Sequence, residues 1–505
     1  MCKKKIIIVG GGIGGLFTGA FLSKEGANVT IVEKNYTIGG GLQSYCRFGE
    51  IFDTGMHVIG GMHPGGNLYK ICDYLGILDK INICPVNDSC ADKVYVATDN
   101  VSYQIAKGQD GFINSLSSYF PHQKKELETY VKAMVSLTKE LDLFYLNPSK
   151  QKPFNHSVDF LLPVDEFIAK YITDEKLRTV LSFQNILYAG EAGVTPAFIH
   201  AVISILYMNG SFRFVGGTLH FAEALSDIIE ENGGLIIKGD AVTEINIENK
   251  KIARCKTASG SKLIGDYFIS AIHPSSFVQL IDDKSVFSKV YLDRLEDIPN
   301  TYSALILNIK LKPNCIKYFN YTGHYFSDNY NVWERPSESS VWPNVCLYMT
   351  PPKQNQSEYA STMNVIVPLD WNEVLPWENT VSGNRGKEYL NWKKYKADIV
   401  IKSLKAVLPN IEESIEKIDI STPLTIRDFY GVKQGALYGF QKDCNNISYS
   451  KMPIKSKISN LFFTGQNQNL HGFCGVALTA IETSEIILES NIILQKINKF
   501  EQIEI

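Results

Sequence analysis

The chain has 505 residues, 45% of them apolar and 20% charged, with a formal net charge of -3. That length gives two or three domains around a large core, and the charge excludes a general nucleic-acid binder, which needs a basic excess. No apolar stretch reaches the length of a transmembrane span, so a soluble protein is expected, at most peripheral to a membrane. The cysteines at 2, 46, 72, 84, 90, 255, 315, 346, 444 and 474 form no Cys-x-x-Cys pair. The histidines add no ligand-like spacing, so no metal is expected. Scattered thiols in a long chain fit a reducing, cytoplasmic setting.

The first stretch, KKKIIIVGGGIGGLFTGAFL (residues 3–22), has the outline of a secretory signal. Glycines crowd its apolar core, however, and no small-residue cleavage site follows. Lys5 to Val9 is instead a β-branched run suited to a buried parallel strand. Gly10, Gly12 and Gly15 follow at once, and Leu16, Ala20 and Phe21 recur at helical spacing until Gly26. Val29 to Val32 reads as a second strand ending on Glu33, 18 residues past Gly15. This strand–turn–helix–strand–acid unit is a dinucleotide cradle. Gly10 permits the turn, Gly12 lets backbone approach a pyrophosphate, and Gly15 lets helix and strand pack closely. The helix N-terminus favours the phosphates, and Glu33 can accept from a ribose diol.

Further along, Leu127, Tyr130, Val131, Met134, Leu137, Leu141 and Phe144 alternate by three and four, predicting an amphipathic helix over 127–145. Its apolar face either packs inward or rests on a membrane. Gly216 and Gly217 precede a helix carrying Leu219, Ala222, Leu225 and Ile229, closed by Asn232-Gly233-Gly234. Strands are expected at Leu235–Ile237, Val242–Ile247, Ile252–Lys256 and Tyr267–Ala271, with a turn at Asn249-Lys250. Aromatic residues from 317 to 377 suit either an apolar tunnel or a β-rich core. A last strand at Leu461–Thr464 precedes a helix from about Gly475.

Several segments together resemble one family. Glu33 is followed by Gly39, Gly40 and Gly41, a layout similar to that of large FAD-binding oxidoreductases related to phytoene desaturases and amine oxidases. Many of those place an arginine where Gly41 stands. FDTGMHVIGG (52–61), YAGEAGVTP (188–196), YMNGSFRFVGG (207–217), TPLTIRDFYGVKQGALYG (422–439) and NLFFTGQNQNLHGFCGVALTAIETSEIIL (460–488) resemble all-trans-retinol saturases and carotenoid isomerases. The resemblance implies an α/β fold: a Rossmann-like FAD-binding domain of the glutathione-reductase/amine-oxidase type with an α+β substrate domain. The cofactor domain would be assembled from 1–100, 214–275 and 422–505, and the substrate domain from 101–213 and 276–421.

The same resemblance implies FAD held by Gly10, Gly12, Ile13, Gly14 and Gly15, and by Glu33 and Lys34. Gly39, Gly40, Gly41 and Leu42 would follow, with the backbone of Val242 at the adenine. Gly465, Gln466, Gly475 and Val476 would stand at the flavin. It also implies an oxidoreductase acting on carbon–carbon double bonds of a polyene or isoprenoid lipid, with reduction favoured over desaturation or isomerisation. Such a substrate is hydrophobic and would be held by apolar burial. His57, Tyr430, Tyr438 and His471 are candidate proton donors, each with a plainer role in shaping the pocket. Asp53 suits orienting a loop, Glu191 is the weakest candidate, and solvent is a further source. No second glycine fingerprint with strand flanks occurs, so a reductase, a quinone, or NAD(P)H using the same pocket would supply electrons. Two rivals are an amine oxidase-like flavoenzyme and a non-catalytic prenyl-lipid carrier of the GDP-dissociation-inhibitor type.

Overall fold

The computed structural model describes residues 3–148, 156–327, 332–337 and 341–500. Its centre is a five-stranded sheet in the order Leu235–Lys238, Asn28–Glu33, Lys5–Val9, Tyr267–Ser270, Leu461–Phe463. Every pairing is parallel, with Ile8 between Ile31 and Ile269. A parallel sheet carries cover on both faces, which is why Ile6, Ile7 and Ile8 are all fully buried. Residues far apart in sequence therefore meet in one layer.

Helices Ile13–Lys24, Leu219–Glu231 and Gly472–Leu488 cover one face. Phe17, Phe221 and Phe473, one from each helix, meet with ring centroids 4.9 to 6.1 Å apart. Aromatic edges of this kind add about 0.5–1.5 kcal/mol per pair beyond burial. They lock three distant segments around the glycine turn. Val242–Glu248 and Lys251–Thr257 form the expected hairpin, with Asn249 and Lys250 both at positive φ.

The second large sheet has seven strands. Its order is Ile415–Ser421, Ser303–Leu311, Thr362–Leu369, Val345–Met349, Thr322–Phe326, Asp92–Val96, Val101–Ile105. All pairings are antiparallel except Thr322–Phe326 with Asp92–Val96. Side chains alternate across it. Leu305, Leu307 and Ile309 pack with Val400, Ile401 and Leu404 of helix Gly386–Leu404, whereas Ile306 faces the opposite way into a cavity. The aromatic-rich 317–377 segment supplies three of these strands, so much of it is β-rich core.

The amphipathic helix is real but shorter than predicted. It spans Lys124–Lys139, and the chain turns at Leu141 (ψ 88°) into a 3-10 turn over Asp142–Tyr145. Its apolar face packs on helix Ala197–Met208. Tyr130 and His200 join there through a 2.5 Å hydrogen bond. That face is spent inside the protein. Among the described residues, no helix is long and apolar enough to cross a membrane.

Candidate active site

The first strand ends in a turn that only glycine suits. Gly10 has φ +106°, and its amide donates to the Val32 carbonyl. A Cβ on Gly15 would collide with the Gly10 carbonyl oxygen, and one on Gly14 would stand 3.1 Å from Gly465 Cα. Gly39 donates to the Gly11 carbonyl, and a Cβ on Gly40 would stand 3.2 Å from Gly12 Cα. Three loops from distant segments thus touch through bare backbone, at the N-terminus of helix Ile13–Lys24.

Glu33 is 7% exposed at the end of its strand. One carboxylate oxygen accepts from the Gly11 amide at 2.7 Å and the other from the Asn35 amide at 2.9 Å. These bonds fix the acid against the glycine turn and leave further lone pairs free. Lys34 does something the sequence did not announce. Its ammonium donates to the Asp428 carbonyl at 2.7 Å, and the Asn35 side chain donates to the Phe429 carbonyl at 3.0 Å. Both cap the C-terminal end of helix Pro423–Tyr430 and so hold Tyr430. Burial lowers the Lys34 pKa, against the opposing pull of Glu33 and Asp428. Leu42 is buried in a 3-10 turn, and Val242 is core beside Val9 and Val32.

The glycine loops open into one cavity. Gly12, Ile13, Gly14, Gly40 and Gly41 line it from one side, with Gly465, Gln466, Gly475 and Val476 of the last strand–helix unit. That helix begins at Gly472, with His471 in the N-cap position. Gly475 has a packing reason: a Cβ there would stand 2.6 Å from Leu470 Cβ. The far wall is apolar. Ile199, Val202, Ile203 and Leu206 come from helix Ala197–Met208, and Ile306, Leu347 and Ile366 from the seven-stranded sheet. None of the described lining residues is Asp, Glu, Lys or Arg.

All four candidate proton donors line this cavity. His57 and His471 are 7% and 5% exposed, and neither ring has a hydrogen-bond partner among the described residues. Burial lowers the His57 pKa to about 4; Asp53 opposes this and Arg213 adds to it. Burial, with Lys442 adding, lowers His471 to about 3. Both are therefore neutral imidazoles near neutral pH, each with one N–H and one lone pair. Neither serves as a cationic acid there.

Tyr430 and Tyr438 are pushed well above the ordinary phenol range by burial. The Tyr438 hydroxyl donates to the Ile186 carbonyl at 3.1 Å, and its ring centroid lies 5.2 Å from that of His471. The Tyr430 hydroxyl makes no hydrogen bond of good geometry. It reaches the Gly41 loop only because residue 55 is glycine, since a Cβ there would collide with it. Thr54 beside it donates to the Gln43 carbonyl.

Asp53 accepts from the Ser44 hydroxyl at 2.6 Å and the Thr218 amide at 2.8 Å, which pins the loop as expected. Glu191 pairs with Arg335 at 3.1 Å, outside the cavity lining. Besides the apolar wall, Tyr207 and Gly55 were not singled out from the sequence. Tyr207, whose hydroxyl donates to the Val58 carbonyl at 3.2 Å, lies in the YMNGSFR segment. Gly55 lies in FDTGMH, and the signal for both was inside segments already singled out.

Residues 8–75 match the model of an NAD(P)-binding Rossmann-like domain. Over 97% of this chain and 86% of the relative, the sequence is 23% identical to all-trans-retinol 13,14-reductase of Danio rerio. It is 24% identical to prolycopene isomerase 2 of an Oncidium hybrid, covering 86% and 74%. It is 23% identical to 4,4'-diapophytoene desaturase of Staphylococcus haemolyticus, covering 96% and 98%. Over nearly its whole length the chain is thus similar to retinol reductases, carotenoid isomerases and phytoene-type desaturases.

Solved structures agree on the fold. An oxidoreductase from Methanosarcina mazei is 17% identical with a TM-score of 0.65, covering 95% of this chain and all of that one. A putrescine oxidase reaches the same TM-score at 12% identity, covering 96% and 99%. The bare-backbone loops, the placed acid and the buried imidazoles, unpaired among the described residues, fit a flavin dinucleotide.

Proposed function

We propose that this protein is a flavin-dependent oxidoreductase acting on carbon–carbon double bonds of a polyene or isoprenoid-type lipid, with reduction as its favoured direction. The observation that carries this reading is the cavity itself. It runs from a glycine cradle to an apolar wall and has no charged side chain among its described lining residues. An amine substrate would bring an ammonium into a site with no counter-charge, which burial penalises heavily. A long unsaturated hydrocarbon meets no such cost. The names of the reductase, isomerase and desaturase relatives support the same class.

In this reading the first glycine turn and its helix N-terminus hold the pyrophosphate, Glu33 the ribose, and the backbone of Val242 the adenine. Gly40, Gly41, Gly465, Gln466, Gly475 and Val476 hold the ring. A bound flavin supplies hydride or electron-transfer chemistry, and the protein supplies position and electrostatics. The wall from helix Ala197–Met208 and the seven-stranded sheet orients the lipid and excludes water. Tyr430 is the proton donor we favour, because its hydroxyl makes no hydrogen bond of good geometry among the described residues while Tyr438 donates to a carbonyl. The neutral His57 and His471 each keep one donor and one acceptor free for polar atoms of the cofactor. The five-stranded unit acts as cofactor domain and the seven-stranded unit as substrate domain. Electrons come from a reductase, a quinone, or NAD(P)H using the same pocket. The nine described cysteines are all unpaired thiols, which suits a cytoplasmic setting.

The test is anaerobic. The bound flavin is reduced, candidate polyenes and isoprenoids are added, and reoxidation is followed alongside product mass. A gain of two hydrogens identifies a saturase, and unchanged mass with altered geometry an isomerase. If no unsaturated lipid reoxidises the flavin, the reading is wrong. NADH and NADPH, mixed with the oxidised holoenzyme, decide whether a nicotinamide reduces it directly.

A further inference from the structure

Lys442 is 4% exposed, immediately behind the cavity wall. Its ammonium donates to the Asn467 carbonyl at 3.2 Å and the Ser450 carbonyl at 3.4 Å. No carboxylate among the described residues pairs with it. Neighbouring Asp443 is turned to the Asn445 amide instead. The charged group acting on it is another cation, Lys451. A buried ammonium with only two long carbonyl contacts is costly, and packing alone gives no reason to keep it. Burial, with Lys451 adding repulsion, lowers its pKa from 10.5 to about 7.

Its position says where its charge acts. Asn467 follows Gly465 and Gln466, both of which line the cavity, and its side chain also accepts from the Phe440 amide at 2.8 Å. His471 lines the same wall, has its pKa lowered by burial with Lys442 adding to it, and precedes the 17-residue helix Gly472–Leu488. The partial positive charge of that helix N-terminus lies at the wall itself, and Lys442 reaches the same strand–helix connection through the Asn467 carbonyl. His471, 5% exposed and with neither ring nitrogen paired among the described residues, lines the cavity beside both.

We propose that Lys442 is a positioning residue that gains a proton when the cofactor is reduced, so that a cation backs the wall in the reduced state and a neutral amine in the oxidised one. This rests on the flavin reading above. The balance is two electrons and one proton from the reductant to the cofactor, and one proton from solvent to Lys442 Nζ. Above about pH 7 the amine is largely neutral before reduction, so its proton uptake appears in the potential there. Below that pH it is protonated in both states and contributes no slope.

The test is the potential of the holoenzyme against pH, poised with redox dyes in the presence of a chemical reductant. For a two-electron couple, each proton taken up contributes about 30 mV per pH unit. Between about pH 7.5 and 9 the wild type should fall by about 59 mV per unit, the two-proton slope. K442R keeps its charge and K442M has none, so both should show about 30 mV per unit. Near pH 8.5, K442R should lie above the wild type and K442M below it, an ordering that a packing defect does not produce. A wild-type slope of one proton across this range overturns the proposal, even if neither variant folds. If flavin is bound and the slope is that of one proton, only this proposal falls. If the reconstituted chain holds no flavin, the cofactor reading falls with it.

Discussion

The two ends of the cavity are built from different material. At the cradle, three loops meet through backbone, and the tolerances are set by atoms that cannot rotate away. At the far wall, Ile199, Val202, Ile203, Leu206, Ile306, Leu347 and Ile366 meet through side chains that can repack. A backbone cradle fixes one ligand shape, which suits a constant cofactor. A side-chain wall can be retuned a methyl at a time, which suits a substrate that differs between relatives. The two ends should therefore fail differently when altered.

The sharpest contrast is at Gly15. A Cβ there meets the Gly10 carbonyl oxygen, with Ala271 Cβ 3.2 Å away. G15A must displace the turn or the helix. Overpacking against backbone costs about 1–3 kcal/mol or more, and each 1.4 kcal/mol is about tenfold in affinity. Flavin binding should weaken by roughly tenfold to a hundredfold, measured by fluorescence quenching on titrating FAD into apoprotein. Unchanged affinity would show that the phosphates lie elsewhere.

Next in size is the Gly55–Tyr430 contact, which has a built-in control. G55A places a methyl against the Tyr430 hydroxyl. Turnover should fall roughly tenfold to a hundredfold, at or below the lower end of the roughly 10²–10⁴-fold that positioned proton transfer contributes. Y430F should cost a similar factor by removing the donor. If crowding is the defect, the double variant G55A/Y430F should be no slower than Y430F alone, and its thermal stability should exceed that of G55A. Additive losses would mean that Gly55 matters for another reason.

The same contrast explains what the sequence disclosed. The cradle was legible because a backbone requirement leaves glycines at fixed spacing, and Glu33 had to follow the second strand. The wall was not. AFIHAVISILYM in helix Ala197–Met208 is apolar nearly all round, so periodicity gives no phase and cannot say which residues face a cavity. Gly55 was invisible as a requirement because Tyr430, which imposes it, lies 375 positions away. The last helix start was legible only to within a few residues, near Gly472 and Gly475, because its N-cap residue His471 makes no side-chain capping bond and no Ser, Thr, Asp or Asn marks the place. His57 and His471 were found through family segments. That burial keeps them neutral is a property of their surroundings.

That neutrality carries a pH signature. The folded-state pKa values, about 4 for His57 and about 3 for His471, lie below the 6.5 of a free imidazole. The unfolded chain then binds more protons across the window, so stability rises with pH there. The contribution is fully present above about pH 7 and is lost as pH falls from about 6.5 towards 4 and below. Replacing His57 by Gln should flatten the fall in melting temperature between about pH 6.5 and 4, by an amount on the order of 3 kcal/mol at the acid end. H57Q melting curves that track the wild type over that range would mean the ring is solvated or paired.

The smallest expected effect lies at the wall. Ile366 faces the cavity from the strand whose alternate residues, Val365 and Val367, face helix Gly386–Leu404. Ile366→Val removes one methylene from the cavity side and leaves the helix side untouched. Its stability cost should be about 0.5–1.5 kcal/mol, and flavin affinity should not change. Substrate selection should shift by only a fewfold, since one methylene is worth roughly 1–3 kcal/mol of discrimination at most. The informative reading is the ratio of kcat/KM for two polyenes that differ in branching, with flavin affinity measured on the same samples. A change in flavin affinity without a change in that ratio would assign Ile366 to the cofactor end and erase the division between backbone cradle and side-chain wall.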